Sequence, residues 1–300
     1  MKHFTSVTLA FLAGGLFISL LGFKENSISK PLPADTLRNT LQPEVPAAMT
    51  FAGEAVPLDR WDVRERLDRE LLFNYHNKPH ILYTIKLANR YFPIIEERLK
   101  ANGVPDDFKY LCVAESNLVA TAISKAGAVS FWQFMNGTAP NYNLSVNQQV
   151  DQRYDIRKST DAACRYLKQA YARFGSWTAA AASYNCGMGG YNSHASYQRT
   201  QHYYDLHLPE ETSRYIFRIL TFKHLMSNAD ELGFHLAEED KYQPIASREV
   251  TVSRSIPDLA AFAIQEGTNY KTLRLMNPWV RGKSLSVAAG STHTLYLPAK

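Results

Sequence analysis

Glu115 is the one carboxylate in YLCVAESNLVA, residues 110 to 120, a segment made mostly of Leu, Cys, Val, Ala and Tyr. Burying an ionised Glu is costly unless the charge is paired, so such a position favours the protonated acid. No Asp or Glu occurs from Ser116 to Val150, and the next acid is Asp151. A carboxyl that faces apolar neighbours with no second acid close in sequence should titrate at about 6 to 7, the range of tuned catalytic acids. It could donate a proton near neutral pH and then act as a base. The same pattern also fits a Glu at a helix end that turns to solvent, or one that pairs with Arg153 or Arg165.

Other chemistries find less support. The chain has no G-x-S-x-G nucleophile turn and no H-E-x-x-H, and the His76/His80 pair is interrupted by Pro79, so neither a metal nor a cofactor is expected. Cys186 in YNCGMGG reads as a small buried thiol, and the glycines there lack both the spacing and the Lys of a phosphate loop. Three cysteines (Cys112, Cys164, Cys186) make no disulfide framework. The net charge of +5 is mildly basic with scattered Lys and Arg, which argues against a nucleic-acid partner. The 17 Tyr residues suit sugar-binding grooves and suit core packing equally.

The elements that must position Glu115 are mostly helical. DVRERLDRELLFNY steps Val63, Leu67 and Leu71 by four, and HILYTIKLANRYFPIIEERLKANG follows, with Pro93 expected to divide it and Gly103 to stop it. Pro105-Asp106-Asp107 opens the next helix, on which Phe108, Leu111, Cys112 and Glu115 fall at i, i+3, i+4 and i+7, one face. STDAACRYLKQAYARFG is expected to be capped at Ser159 or Thr160, SWTAAAASYN follows it, and TSRYIFRILTFKHLMSNADELGF reads as a last long helix.

The two ends differ from this body. Residues 1–23 carry Lys2 and His3 before an apolar run from Phe4 to Phe23, so a cleaved secretory signal or a retained N-terminal anchor is expected. Either implies export to the periplasm or cell envelope, with membrane association if the segment is retained. Residues 24–50, with four Pro, read as a linker, residues 51–236 as the helical body, and 237–247 as a second linker. From 248 to 300, REVTV and HTLYL alternate like short strands and enclose two short helical patterns, which predicts a small βααβ module. The fold class is therefore mainly α, with this module appended.

AESNL, SKAGAVSFWQFMNGTA, DIRKSTDAACRYL and AAASYNCGMGG, in that order, resemble the lytic transglycosylases with a soluble-lytic-transglycosylase or goose-lysozyme-like domain. The upstream blocks VPLDRWDVRERLDREL and LANRYFPIIEERLKANGVPDDFKYL resemble the membrane-bound type D group of that family. The resemblance implies a lysozyme-like helical domain that cleaves the MurNAc–GlcNAc β-1,4 bond of peptidoglycan and leaves 1,6-anhydro-MurNAc. It makes Glu115 the single acid/base and puts Ser124, Gly127, Gln133 and Met135 along the cleft. Tyr184 and Asn185 would complete the far wall, with Tyr184 bonding either Glu115 or the sugar; Ser124 fits a turn residue as well. The chain departs from the family pattern at Ser130, Asn136 and Cys186, which bears on the lip of the cleft rather than on the proton donor.

The ending, by A-x-x-x-G, L-x-x-x-NP and a closing apolar strand, resembles a LysM glycan-binding module. By that resemblance Ser255, Ile256, Asn277, Pro278 and Trp279 would meet glycan; a packing module without glycan affinity fits as well. Two rival readings stand beside the lytic enzyme. One is a goose-type hydrolytic muramidase with Asp151 or Asp155 as base, the other a non-catalytic peptidoglycan-binding protein. Glycan strands of peptidoglycan are the partner expected in all three.

Overall fold

Side-chain caps and left-handed residues mark several of the helix boundaries in the computed structural model, which describes residues 43–299. The expected signal or anchor, and the linker as far as residue 42, lie outside the described residues. Pro43 is buried and Val45 and Met49 pack on the core, so the body takes up the end of that linker. A short antiparallel hairpin, β1 (Thr50–Phe51) and β2 (Glu54–Ala55), opens it.

Six helices follow: α1 (Trp61–His76), α2 (Lys78–Ala101), α3 (Phe108–Ser116), α4 (Ile156–Phe174), α5 (Trp177–Gln198) and α6 (Glu210–Ser227). α1 packs on α6, α4 on α5 and on α2, and α3 on α6. Pro93 does not divide α2: the helix runs through it. Buried Leu87 and Ala88 before it, and Ile95 and Leu99 after it, hold both halves in line, which offsets a Pro cost of about 3 kcal/mol.

α4 begins earlier than its Ser159/Thr160 signal. Asp155 is the cap, accepting from the Arg157 and Lys158 amides at 3.0 and 3.1 Å, whereas the Ser159 and Thr160 hydroxyls bond back to carbonyls of the preceding turn. Gly175, at φ 71°, ends it. Ser176 then caps α5, whose Ala179 to Ala182 are all fully buried. Such small side chains let neighbouring helices approach closely. α5 outlasts its predicted end at residue 185 and reaches Gln198, broken only at Gly187 (φ 76°, ψ 148°), a conformation open essentially to glycine alone. α6 is shorter than its pattern and stops at Ser227.

Between α3 and α4 the chain is not helical in the long sense; residues 117–155 form turns, isolated bridges and two short 3-10 helices. The C-terminal module has the expected βααβ order: β3 (Ser247–Val252), α7 (Leu259–Gln265), α8 (Tyr270–Met276) and β4 (His293–Pro298). Its strands pair antiparallel from Ser247↔Pro298 to Val252↔His293. Leu259, Ala263, Leu273, Leu295 and Leu297 are fully buried between sheet and helices. Val129, Val150 and Tyr154 of the 117–155 region belong to this same apolar cluster.

Candidate active site

Glu115 lies in the last turn of α3, two residues before Asn117, which ends the helix in the left-handed region (φ 52°). The end is tied down by Ser116, whose hydroxyl donates to the Phe131 carbonyl at 2.9 Å. Cys112, one turn earlier, is fully buried on the same face. The Glu115 side chain is half-buried and accepts a short hydrogen bond on Oε1 from the Tyr215 hydroxyl, which is itself fully buried on α6.

Burial raises the Glu115 carboxyl from its ordinary value to about 7. The Tyr215 hydrogen bond and the Arg218 charge pull the other way, and Glu211 adds to the rise by like charge. The phenols of Tyr184 and Tyr215 are pushed well above their usual range by burial first and by the Glu115 charge second. A carboxyl that is half protonated near neutrality, with buried phenols around it, can give up a proton and take one back.

Neither sequence candidate for pairing with Glu115 does so. Arg153 grips Asp151 through Nε and Nη2 at 2.9 and 2.8 Å and donates from Nη1 to the Phe134 carbonyl at 3.2 Å. Arg165 donates to the Tyr142 carbonyl at 2.6 Å. The two acids weighed as a second base are engaged as well: Asp151 by Arg153, and Asp155 by the amide end of α4.

The loop from Thr121 to Met135 carries four of the expected cleft residues. Ser124 works as a turn residue: its hydroxyl accepts from the Ala128 amide at 3.0 Å, and Gly127 (φ 85°) donates back to the Ser124 carbonyl at 3.0 Å. Gln133 adopts φ 50° and its side-chain amide donates to the Ser130 carbonyl at 2.7 Å, so the loop is bonded to itself at this corner. Met135 is 41% exposed and Ile123 68%, two apolar side chains left facing solvent on this loop.

Tyr184 and Asn185 end the first half of α5, just before the Gly187 break. Tyr184 does not bond Glu115; its hydroxyl donates to the Trp132 carbonyl at 2.8 Å, which pins the 121–135 loop to α5. Trp132 is in turn buried and donates to Thr160 at 2.8 Å. Asn185 is held by α6, donating to Glu211 at 3.2 Å and accepting from Thr212 at 2.8 Å.

Glu211, Tyr215 and Arg218 were not singled out from the sequence. Their signal was a polar stripe at i, i+4 and i+7 through the segment ETSRYIFRIL, hidden by a separation of 100 residues between Tyr215 and Glu115. The module residues expected to meet glycan are differently placed. Asn277 is fully buried, its amide bonded to Leu273 and Tyr296 carbonyls and its oxygen to the Tyr296 amide. Trp279 is 2% and Ile256 8% exposed, so neither offers a free face. Pro278 is half-buried, and exposed Ser255 accepts from the Val287 amide at 3.0 Å.

Among the described residues no helix is long and apolar enough to cross a membrane, and no group of three or more His, Cys, Asp or Glu gathers as a metal site would require. Residues 92–206 match the transglycosylase SLT domain, an interval that includes Glu115, Gln133 and Tyr184 but ends before α6. Residues 248–300 match the soluble lytic transglycosylase C-terminal LysM-like domain. Over 231 residues the chain is 26% identical to membrane-bound lytic murein transglycosylase D of Escherichia coli strain K12, covering 75% of this chain and 50% of that protein. The same protein from Escherichia coli O6:H1 matches to the same extent. The chain thus spans about half the length of the curated relatives it matches. Glu115 and the 121–135 loop thus lie inside a region similar to the transglycosylase SLT domain, and all of the βααβ module but Ser247 lies inside one similar to the soluble lytic transglycosylase C-terminal LysM-like domain.

Proposed function

We propose that this chain is an exported peptidoglycan lytic transglycosylase of the cell envelope, cleaving the MurNAc–GlcNAc β-1,4 bond with Glu115 as its single acid/base. The observation that carries the reading is Glu115 itself, a half-buried carboxyl titrating at about 7 and held by Tyr215. Its sequence-near rivals Asp151 and Asp155 are bound to Arg153 and to the α4 amides. Protonated Glu115 donates to the glycosidic oxygen as the C1–O bond breaks. The N-acetyl group of the same MurNAc meets the positive charge developing at C1. Glu115, now a carboxylate, takes the proton of the C6 hydroxyl, and that oxygen closes on C1 to give the 1,6-anhydro ring. No water enters the balance, and the carboxyl ends as it began.

Tyr215 suits both halves of this cycle. Its O–H stabilises the carboxylate after proton donation, which keeps the Glu115 pKa from climbing beyond the neutral range. Replacing Glu115 by Gln keeps a hydrogen-bond acceptor for Tyr215 but removes the proton. Turnover of purified sacculi by Glu115→Gln should fall about a thousandfold, within the span attributed to general acid–base catalysis, while sacculus binding persists. Activity retained in that variant contradicts the assignment.

A further inference from the structure

We propose that the C-terminal module is a brace of the active-site loop, and that Arg153 and Gln149 are the positioning residues that join them. Three of the five residues by which such a module would be expected to hold glycan, Ile256, Asn277 and Trp279, face inward instead. Asn277 closes the module's own backbone, and Trp279 is buried in the cluster that contains Val129, Val150 and Tyr154 of the body.

The seam is built from backbone as well as side chains. Val150 and Val280 form an antiparallel bridge, flanked by the Asp151 amide donating to the Trp279 carbonyl at 2.8 Å and the Arg281 amide donating to the Gln149 carbonyl at 2.7 Å. The Gln149 side chain adds two more bonds, from Nε2 to the Ser284 hydroxyl and from the Ser286 amide to Oε1, both at 3.0 Å. The Arg281 guanidinium lies 4.6 Å from the ring centre of Tyr154.

Two routes lead from this seam to the loop that bears Gln133 and Met135. Asp151, fixed to Trp279 by its amide, holds Arg153, and Arg153 donates to the Phe134 carbonyl at 3.2 Å. Val129, whose side chain sits in the module's cluster, bridges both Ile123 and Phe134. The loop requires such support. Ser130 and Gln133 sit at φ 63° and 50°, in the left-handed region that side chains disfavour, and such residues persist only where their surroundings over-determine them.

Gly282 supplies a test. A Cβ there would stand 3.0 Å from the Ser284 carbonyl and 3.2 Å from the Gln149 Cγ, so Gly282→Val wedges the seam from its rim. Val280→Asp is the second variant and opens it from the buried bridge. Amide hydrogen exchange of the full chain reads the outcome: faster exchange of the Arg281 amide reports that the seam has opened. The brace predicts that exchange at Ser124, Val129 and Ser130 then quickens at least tenfold, while the amides of α5 keep their protection. It also predicts at least a tenfold fall in kcat on sacculi with KM changed less than twofold and sacculus binding kept; this arm rests on the lytic reading, the exchange arm does not. Loop amides and kcat both unchanged with the Arg281 amide exposed would overturn the proposal. A large loss of sacculus binding with the loop protected would overturn it too, and would make the module a glycan tether. A wild-type chain inert on sacculi would count against the lytic reading alone, with the exchange data still deciding the brace.

Discussion

A carboxyl raised to about 7 by burial has consequences for both activity and stability. As general acid it is competent only when protonated, so kcat/KM on soluble glycan fragments should fall tenfold per pH unit above about 7. Tyr215→Phe removes the group that favours the ionised form. The alkaline limb should then move to higher pH while kcat drops roughly a hundredfold, because the second step needs a stabilised carboxylate. A pH–rate profile of the two proteins checks both statements. For stability the sign is the reverse of a salt-bridged acid. Between the ordinary value of 4.5 and about 7 the folded chain binds the proton that the unfolded chain has lost, so stability falls as pH rises through that window. Glu115→Gln should therefore melt higher than the parent at pH 8, by up to roughly 3 kcal/mol, and nearly match it at pH 4. Glu115 was legible because an acid on an apolar helix face is a local signal. Tyr215 was not, since its role depends on α6 folding back over α3, and sequence spacing carries no trace of that contact.

The hairpin and α5 depend on one another through Glu54. Its carboxylate accepts from the Ser176 hydroxyl at 2.8 Å, the Trp177 and Thr178 amides at 2.6 and 2.9 Å, and the Thr178 hydroxyl at 2.6 Å. Acidic oxygens at a helix N-terminus complement its free amides and dipole. Burial alone would raise this carboxyl, but the bonds from Thr178, Trp177 and Ser176 bring it below its ordinary value. Its contribution is thus complete above about pH 4.5 and is lost as pH falls through the lower folded value. Glu54→Ala should cost about 2 kcal/mol at pH 7, and urea melts of variant and parent should converge toward acid pH. The ends of α2 and α4 were read well near Gly103 and Gly175. The glycines after Tyr184, and Gly233, misplaced the ends of α5 and α6, and the start of α4 was missed because Asp155 caps it. Asp155 was weighed as a catalytic base because an Asp before a helix looks the same in sequence whether it caps or reacts. Pro93 misled for the opposite reason: the packing of α2 along its whole length overrides a local breaker.

The two matched regions share one apolar cluster, and that bears on how the molecule unfolds. Val129, Val150 and Tyr154 complete a core otherwise built from the module's own residues. Heating the parent should give one calorimetric transition, and Gly282→Val should split it in two, with the module melting first. The order of the long helices and the βααβ module were visible as patterns along the chain, whereas the β1–β2 hairpin was not, and the loop residues came only from the resemblance. The docking was not, because Trp279 and Asn277 carry the same letters whether they meet a sugar or a neighbouring loop. Exposure decides between them, and exposure is a property of the folded molecule. The central claim concerns the bond that Glu115 breaks, and its most direct test is the product. Sacculi digested with the chain lacking residues 1–23 should release muropeptides that end in 1,6-anhydro-MurNAc, one water lighter than reducing ends by mass spectrometry. Reducing ends in their place would contradict the account, and would make Glu211, the acid whose charge Glu115 already feels, the group to examine as a base.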